Sequence, residues 1–272
     1  MNEELEAVKK QQCLWARGKS IDFDKKGYVK EHFDNLYNRH LMSQAQNEYQ
    51  QADGAELDHK MWALHSSSAL VYNFFDYWRR TEVAALAQSL GLLAGPYTIA
   101  LEHKLNKPPG VPGKKPNVDV FFFGGHLISL AAVEAKFTEP YQRRTKMELK
   151  FAYVMAPCLW DNYPKCGILA TALTKNEGGF LYLDAPQLLK HIVGLKTAFD
   201  KGAFELIYLW YKVPGDIAAR LESEINKFHE WVDDEVRFRA LTYQELFAGL
   251  MDRRDSHVDW FEYMAERYFP MA

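Results

Sequence analysis

The chain has 272 residues, of which 48% are hydrophobic and 25% charged, and a formal net charge of −3. This length and balance suit one large globular domain, or a core domain with additions, and exclude disorder on the scale of a domain. The slightly negative total also excludes global basicity as a means of holding a polyanion, so any such surface has to be local.

The first twelve residues are polar and lack the apolar stretch of a signal peptide, and no run approaches the roughly 20 apolar residues of a membrane span. Cys13, Cys158 and Cys166 form no metal-binding spacing and leave an odd thiol under any pairing, which fits a reducing compartment. The expectation is a cytoplasmic protein without a membrane partner. Residues 1–58 read as a helical N-terminal extension, with a helix over 28–37 and a Gln/Asn-rich tract at 44–51.

From 57 to 93, Trp62, Leu64, Leu70, Val71, Phe74, Phe75 and Trp78 recur at helical spacing. A second apolar series follows over 83–90 before Gly91, so a long helix or a broken pair is predicted. The period then changes to that of strands at 97–105 and 117–123, with a Pro/Gly/Lys loop at 107–115 between them. Gly124-Gly125 predicts a hairpin turn, since glycine accepts positive φ. A third strand, 127–137, ends before Pro140, and 141–155 returns to helical character. Beyond it come a helix at 179–195, a buried strand at 204–213 and an amphipathic helix at 217–231. A short strand at 236–241 and helices at 243–251 and 258–268 complete the chain. The order helix, three strands, helix, strand predicts an α/β or α+β domain, a mixed central sheet flanked by helices with helical N- and C-terminal additions. No repeat or linker divides 59–272, which is expected to form one continuous unit.

Charge is unevenly spread. Between Lys104 and Lys150 the cations are Lys104, Lys107, Lys114, Lys115, Lys136, Arg143, Arg144, Lys146 and Lys150. They face only Asp119, Glu134, Glu139 and Glu148, an excess of five positive charges. A basic surface around an acidic pair suits a polyanion held near a metal; the competing reading of Arg143–Lys150 is a solvated helix face.

Strand alternation places Glu134 and Lys136 on one face and Val133, Ala135 and Phe137 on the other. Pairing through the Gly124-Gly125 turn brings Asp119 alongside Glu134, so two carboxylates and one ammonium converge among apolar strands. Such burial is costly without compensation, and a divalent cation supplies it. Hard oxygen donors suit Mg²⁺, which takes one or two carboxylates plus substrate phosphate, with Mn²⁺ able to substitute. Lys136 would orient or deprotonate a water, or stabilise charge on the phosphate. The alternative is an ordinary ion pair of Lys136 with Glu134 or Asp119.

The run Pro116-Asn117-Val118-Asp119, a hairpin, and then Val133-Glu134-Ala135-Lys136-Phe137 resembles the PD-(D/E)XK, restriction-endonuclease-like superfamily. Further phrases are similar to a branch of little-characterised bacterial members: His65-Ser66-Ser67 with Asn73, Phe74 and Phe75, Leu101-Glu102, Lys136-Phe137-Thr138-Glu139, Gln187-Leu188-Leu189-Lys190-His191 and Tyr208-Leu209-Trp210-Tyr211. Pro116 and Asp119 are not adjacent, a departure from the family pattern. The resemblance implies a restriction-endonuclease-like core and a Mg²⁺-dependent nuclease. Asp119, Glu134 and the Ala135 carbonyl would hold the metal, and Lys136 would complete the site. It also implies a further acidic residue, Glu102 in preference to Glu82, with Glu139 and Gln142 within reach of metal or phosphate. Lys114, Lys115, Gln142, Arg143, Arg144 and Lys146 are the expected nucleic-acid contacts.

The Ser66, Ser67 and Asn73 cluster reads as helix capping and packing, and no G-x-S-x-G surrounds the serines. Tyr208, Trp210 and Tyr211 read as sheet core, and His191 and His229 as structural. No P-loop is present. DNA is the expected partner, with RNA and a homodimer left open. Two rivals stand beside the nuclease: an inactive nucleic-acid-binding protein of the same fold, and a metal-binding interaction protein.

Overall fold

Apolar, β-branched and aromatic runs in the middle of the chain build the sheet on which everything else is mounted. The computed structural model describes residues 2–52, 55–124, 130–145, 147–156 and 158–270. Its strands are β1 (Tyr97–Lys104), β2 (Asn117–Gly124), β3 (Leu130–Lys136), β4 (Phe204–Trp210) and β5 (Arg237–Thr242), in the spatial order β1-β2-β3-β4-β5. The pairs β1/β2 and β2/β3 are antiparallel, whereas β3/β4 and β4/β5 are parallel, so the sheet is mixed as expected. Helical crossovers join the parallel neighbours, as that geometry requires. Gly124 closes β2 at φ +102°, where a Cβ would stand 2.4 Å from the Pro96 carbonyl oxygen, so only glycine fits. Gly125 and the turn proper lie outside the described residues, as do 127–129 of the expected third strand.

Eleven α-helices occur among the described residues: α1 (Glu3–Gly18), α2 (Ser43–Gln51), α3 (Ser67–Val71), α4 (Tyr77–Thr81), α5 (Val83–Ser89), α6 (Ala152–Met155), α7 (Pro164–Thr174), α8 (Ala185–Ala198), α9 (Asp216–Val232), α10 (Tyr243–Gly249) and α11 (Val258–Arg267). A π turn over Tyr72–Asp76 fuses α3 to α4, and Glu82 (φ −143°, ψ 73°) then breaks the rod before α5. The predicted helical stretch is therefore a broken one. Ser66 caps α3 by accepting from the Ala69 N–H at 3.1 Å, and Asn73 links Tyr37, Asn35, Tyr263 and Tyr268; these are the capping and packing roles expected of them.

Strand alternation feeds two cores. Ala131, Val133, Ala135, Phe137, Ile207 and Leu209 enter a layer shared with α3–α5, α10 and α11. Ala132, Leu206, Tyr208 and Trp210 enter a second layer shared with α7–α9. Among the described residues no helix is long and apolar enough to cross a membrane.

Three expected helices differ. Over 28–37, Tyr28 and Val29 form bridges to Ala63 and Phe23, and the coiled parts are a 3₁₀ turn at His32–Asn35 and the start of another at Tyr37–Arg39. The cause is Asn35, whose side-chain amide donates to the Met61 and Ala63 carbonyls at 2.7 and 2.6 Å and holds the segment against its neighbour. Over 141–155, a 3₁₀ turn (Glu139–Tyr141) is followed, among the described residues, by irregular chain until α6. Here the Arg144 N–H donates to the Leu181 carbonyl at 2.8 Å, while Met147 and Leu149 are buried and Glu148 and Lys150 exposed, an alternation of extended chain. Among the described residues of Arg143–Lys150 there is therefore no solvated helix face. Finally, the helix expected from 179 begins only at α8, because the Glu224 carboxylate accepts the Leu181, Tyr182 and Leu183 N–H groups at 2.9–3.0 Å. Helix α7 was not anticipated.

Candidate active site

The site forms where the β2–β3 ladder stops. Register pairs Val120 with Val133, so Asp119 falls next to Glu134; instead of continuing the ladder, the Asp119 Oδ2 accepts the Ala135 N–H at 2.6 Å. The Ala135 carbonyl is left to accept from the Ser67 hydroxyl at 3.2 Å. Glu134 and Lys136 share the face turned towards α8, and the Lys136 ammonium donates to Glu134 Oε1. On the far side, His191 Nε2 of α8 lies 2.9 Å from Glu134 Oε2.

The neighbouring strand is distorted at the same level. Pairs Leu101–Val120 and His103–Val118 flank Glu102 and Asp119, which are themselves left out of the ladder. Glu102 adopts φ +51°, a left-handed conformation rare for a side-chain-bearing residue in a strand. Before it, Tyr97, Ile99 and Leu101 face the first core; after it, His103 packs on Phe121 at 4.6 Å and Leu105 joins the second core. The switch of faces aims Glu102 into the cleft.

That cleft has a volume of about 710 Å³. Its floor carries Glu102, Asp119, Glu134, Ala135 and Lys136, and its rim carries Lys60, Lys114, Lys115 and Lys190. Glu139 also lines it, but one of its oxygens already accepts the Phe137 and Thr138 N–H groups at 3.0 Å. Glu82 lies elsewhere, beside Arg253 and His257. Of the expected nucleic-acid contacts, Lys114 and Lys115 line the cleft, whereas Gln142 and Arg143 are exposed outside its lining. Arg144 is ion-paired to Asp184 at 2.7 Å, and Lys146 lies outside the described residues.

Several cleft residues were missed by sequence reasoning. Glu56, 5% exposed, pairs with Lys60 at 2.5 Å and accepts from the Ser68 hydroxyl. Gln187, Lys190 and His191 line the opposite wall from α8. Their signal was present: polar residues at i, i+3 and i+4 mark one face of an otherwise apolar helix. Glu56 gave none, being one acid in a polar stretch.

The electrostatics separate the carboxylates. Burial pushes Glu134 upward, but the Lys136 ammonium and His191 beside it prevail and hold it down to about 2. Burial and then the Glu134 charge push Asp119 well above the carboxylate range, with Lys136 only partly offsetting them. Glu102 rises to about 8 through burial, Glu56 and Glu134. Burial would lower Lys136, yet Glu134 and Asp119 raise it above the ordinary lysine range, so the ammonium stays protonated at neutral pH. Unequal protonation of neighbouring acids is the expected result of unscreened like charge.

An acid raised by folding stabilises at low pH, and that contribution is lost as pH climbs through its folded-state value. Glu102→Gln removes the effect. The melting temperature of the metal-free variant should therefore exceed that of the parent by a margin that widens from pH 5 to pH 8. A constant margin across that range would contradict the assignment.

Among the described residues no three His, Cys, Asp or Glu side chains are placed to hold a metal unaided. Mg²⁺ does not need such a cage, since it keeps waters and takes one or two carboxylates with substrate phosphate. The donors here fit it: hard oxygens from Asp119, Glu134 and the Ala135 carbonyl, with Glu102 adjacent and a surplus of negative charge that protonation of Asp119 and Glu102 relieves.

Comparison with known proteins adds one finding. Residues 2–269 match the model of the family described as "Restriction Endonuclease associating with ARP". No curated protein and no solved structure matches the chain.

Proposed function

Because the chain belongs to the family of restriction endonucleases associating with ARP, we propose that it is a Mg²⁺-dependent nuclease hydrolysing phosphodiester bonds in DNA. The observation that carries this reading is the convergence of Asp119, Glu134 and Lys136 on the floor of a lysine-rimmed cleft. Asp119, Glu134 and the Ala135 carbonyl hold the cation, and Glu102 is the further acid. A divalent cation there supplies positive charge against the phosphate as charge develops in the transition state.

The roles of the chain's own groups follow from their environments. The Lys136 ammonium, paired with Glu134 and held protonated by the neighbouring carboxylates in the metal-free protein, is placed to donate. Its part is to orient the attacking water or to donate to a phosphate oxygen. The rim lysines draw the backbone of a polyanion over an acidic floor it would otherwise avoid. The test is incubation with supercoiled, linear and single-stranded DNA, with and without Mg²⁺ or Mn²⁺. Cation-dependent cleavage of at least one form is expected, and intact DNA throughout would overturn the reading.

The rim lysines have a separate signature. Replacing Lys114 and Lys115 together by alanine should weaken DNA binding and lower the slope of log K against log salt by about 0.9 for every phosphate the two lysines neutralise. An unchanged slope would mean that these lysines are solvated charges that do not touch the backbone.

A further inference from the structure

His191 is 1% exposed on a helix whose neighbouring positions are Leu188, Leu189 and Ile192. An imidazole buried only to fill space is a poor choice there, because its nitrogens lose water and need partners. Nδ1 has no partner among the described residues, and Nε2 faces a single group, Glu134 Oε2, at 2.9 Å. The ring is turned so that this contact, though short enough, is not a well-aligned hydrogen bond. An ionised carboxylate only accepts, so the proton of the pair belongs on Nε2.

The helix holding the ring is itself fixed. Asp184 caps α8 by accepting the Gln187 N–H at 3.0 Å and pairs with Arg144 at 2.7 Å. Gly194 lets the helix approach the chain leaving β1, where a Cβ would come within 2.7 Å of Leu105 Cβ. His191 thus reaches Glu134 from a rigid element, whereas Lys136 reaches Oε1 on a long side chain that substrate can draw away. Once it does, His191 is the contact that still fixes the Glu134 carboxylate.

We propose that His191 is a positioning residue: it donates from Nε2 to Glu134 Oε2 and so sets the orientation of a carboxylate that would hold the cation. This rests on the nuclease reading above. Groups that orient metal-binding side chains are commonly worth about 10-fold to 100-fold in metal affinity.

The experiment compares the parent with His191→Leu, which fills the space without a donor, and His191→Gln, whose amide can donate. Mn²⁺ affinity is read from the electron paramagnetic resonance of the free ion, with Asp119→Asn marking the site and thermal melting run beside each. His191→Leu should bind Mn²⁺ about 10-fold more weakly while still melting as a folded protein, and His191→Gln should regain most of the affinity. Equal affinity of the Leu variant and the parent, or a folded Gln variant as weak as Leu, would overturn the role of His191 alone. Absence of any Mn²⁺ binding sensitive to Asp119→Asn in the parent would overturn the nuclease reading and this inference with it.

Discussion

Thermal melting of the metal-free protein should divide the two central carboxylates: Asp119→Asn melts at or above the parent, and Glu134→Ala melts roughly 5–10 °C below it. Asp119 is held above its ordinary range by burial and by Glu134, so taking this carboxyl into the fold at neutral pH costs stability, because a proton has to be bound or a charge buried. Asparagine removes that cost while its carbonyl can still accept the Ala135 N–H that Asp119 accepts. Glu134 is the reverse case, depressed to about 2 and contacted on both oxygens by Lys136 and His191. Deleting it leaves a buried ammonium without its main partner, a destabilisation of about 3 kcal/mol. Its stabilisation is present above the ordinary glutamate range and fades as pH falls towards 2, so the deficit should shrink in acid. Equal shifts for the two variants would contradict the electrostatic picture.

Arg267→Ala should be the most damaging single change away from the cleft, costing about 4 kcal/mol or more and roughly 10 °C in melting temperature. The guanidinium is 0% exposed, on the last turn of α11. It donates to Gln12 Oε1 at 3.0 Å, the Asn35 carbonyl at 2.8 Å, the Tyr263 hydroxyl at 2.6 Å, the Leu64 carbonyl at 3.1 Å and the Asn35 side chain. It also stacks over Trp15 and Tyr268, at 4.1 and 4.6 Å from their ring centres. One side chain therefore ties α1, the 28–37 segment and the approach to α3 to the end of the chain. Truncation opens a cavity and strands several acceptors together. A variant melting within about 2 °C of the parent would show that the network is dispensable.

The sheet was legible in the sequence because its signals are local. Alternation in 117–123 and 130–136 marks two faces, and the same alternation separates Glu134 and Lys136 from Val133, Ala135 and Phe137. Helices α9, α10 and α11 were readable from amphipathic periodicity and came out within a residue or two of their expected limits. The misread helices share one feature: a hydrogen bond to a distant segment, by side chain or by backbone as at Arg144 N–H to the Leu181 carbonyl, holds the chain out of a helix. Asn35 holds one segment, and Glu224 takes three N–H groups of another. Neither partner is visible in a local window.

The site divides in the same way. The convergence of Asp119, Glu134 and Lys136 was readable because two consecutive antiparallel strands carry them all. The ladder break at Asp119, the left-handed Glu102 and the approach of His191 were not, since each depends on a third element. His191, read from sequence as structural, stands against Glu134 only because α8 crosses over β3. Sequence also treated the two carboxylates as equivalent, whereas Lys136 and His191 both contact Glu134 and so set it apart from Asp119.

The central claim is that Asp119, Glu134 and Lys136 form a cation-dependent phosphodiesterase centre. Its most direct measurement is single-turnover nicking of supercoiled plasmid at saturating Mg²⁺, by the parent, Asp119→Asn and Lys136→Met, each shown by melting to be folded. The account predicts nicking by the parent only when the cation is present, and rates at least about 100-fold lower for both variants. Folded variants that nick at the parental rate would place the active centre elsewhere.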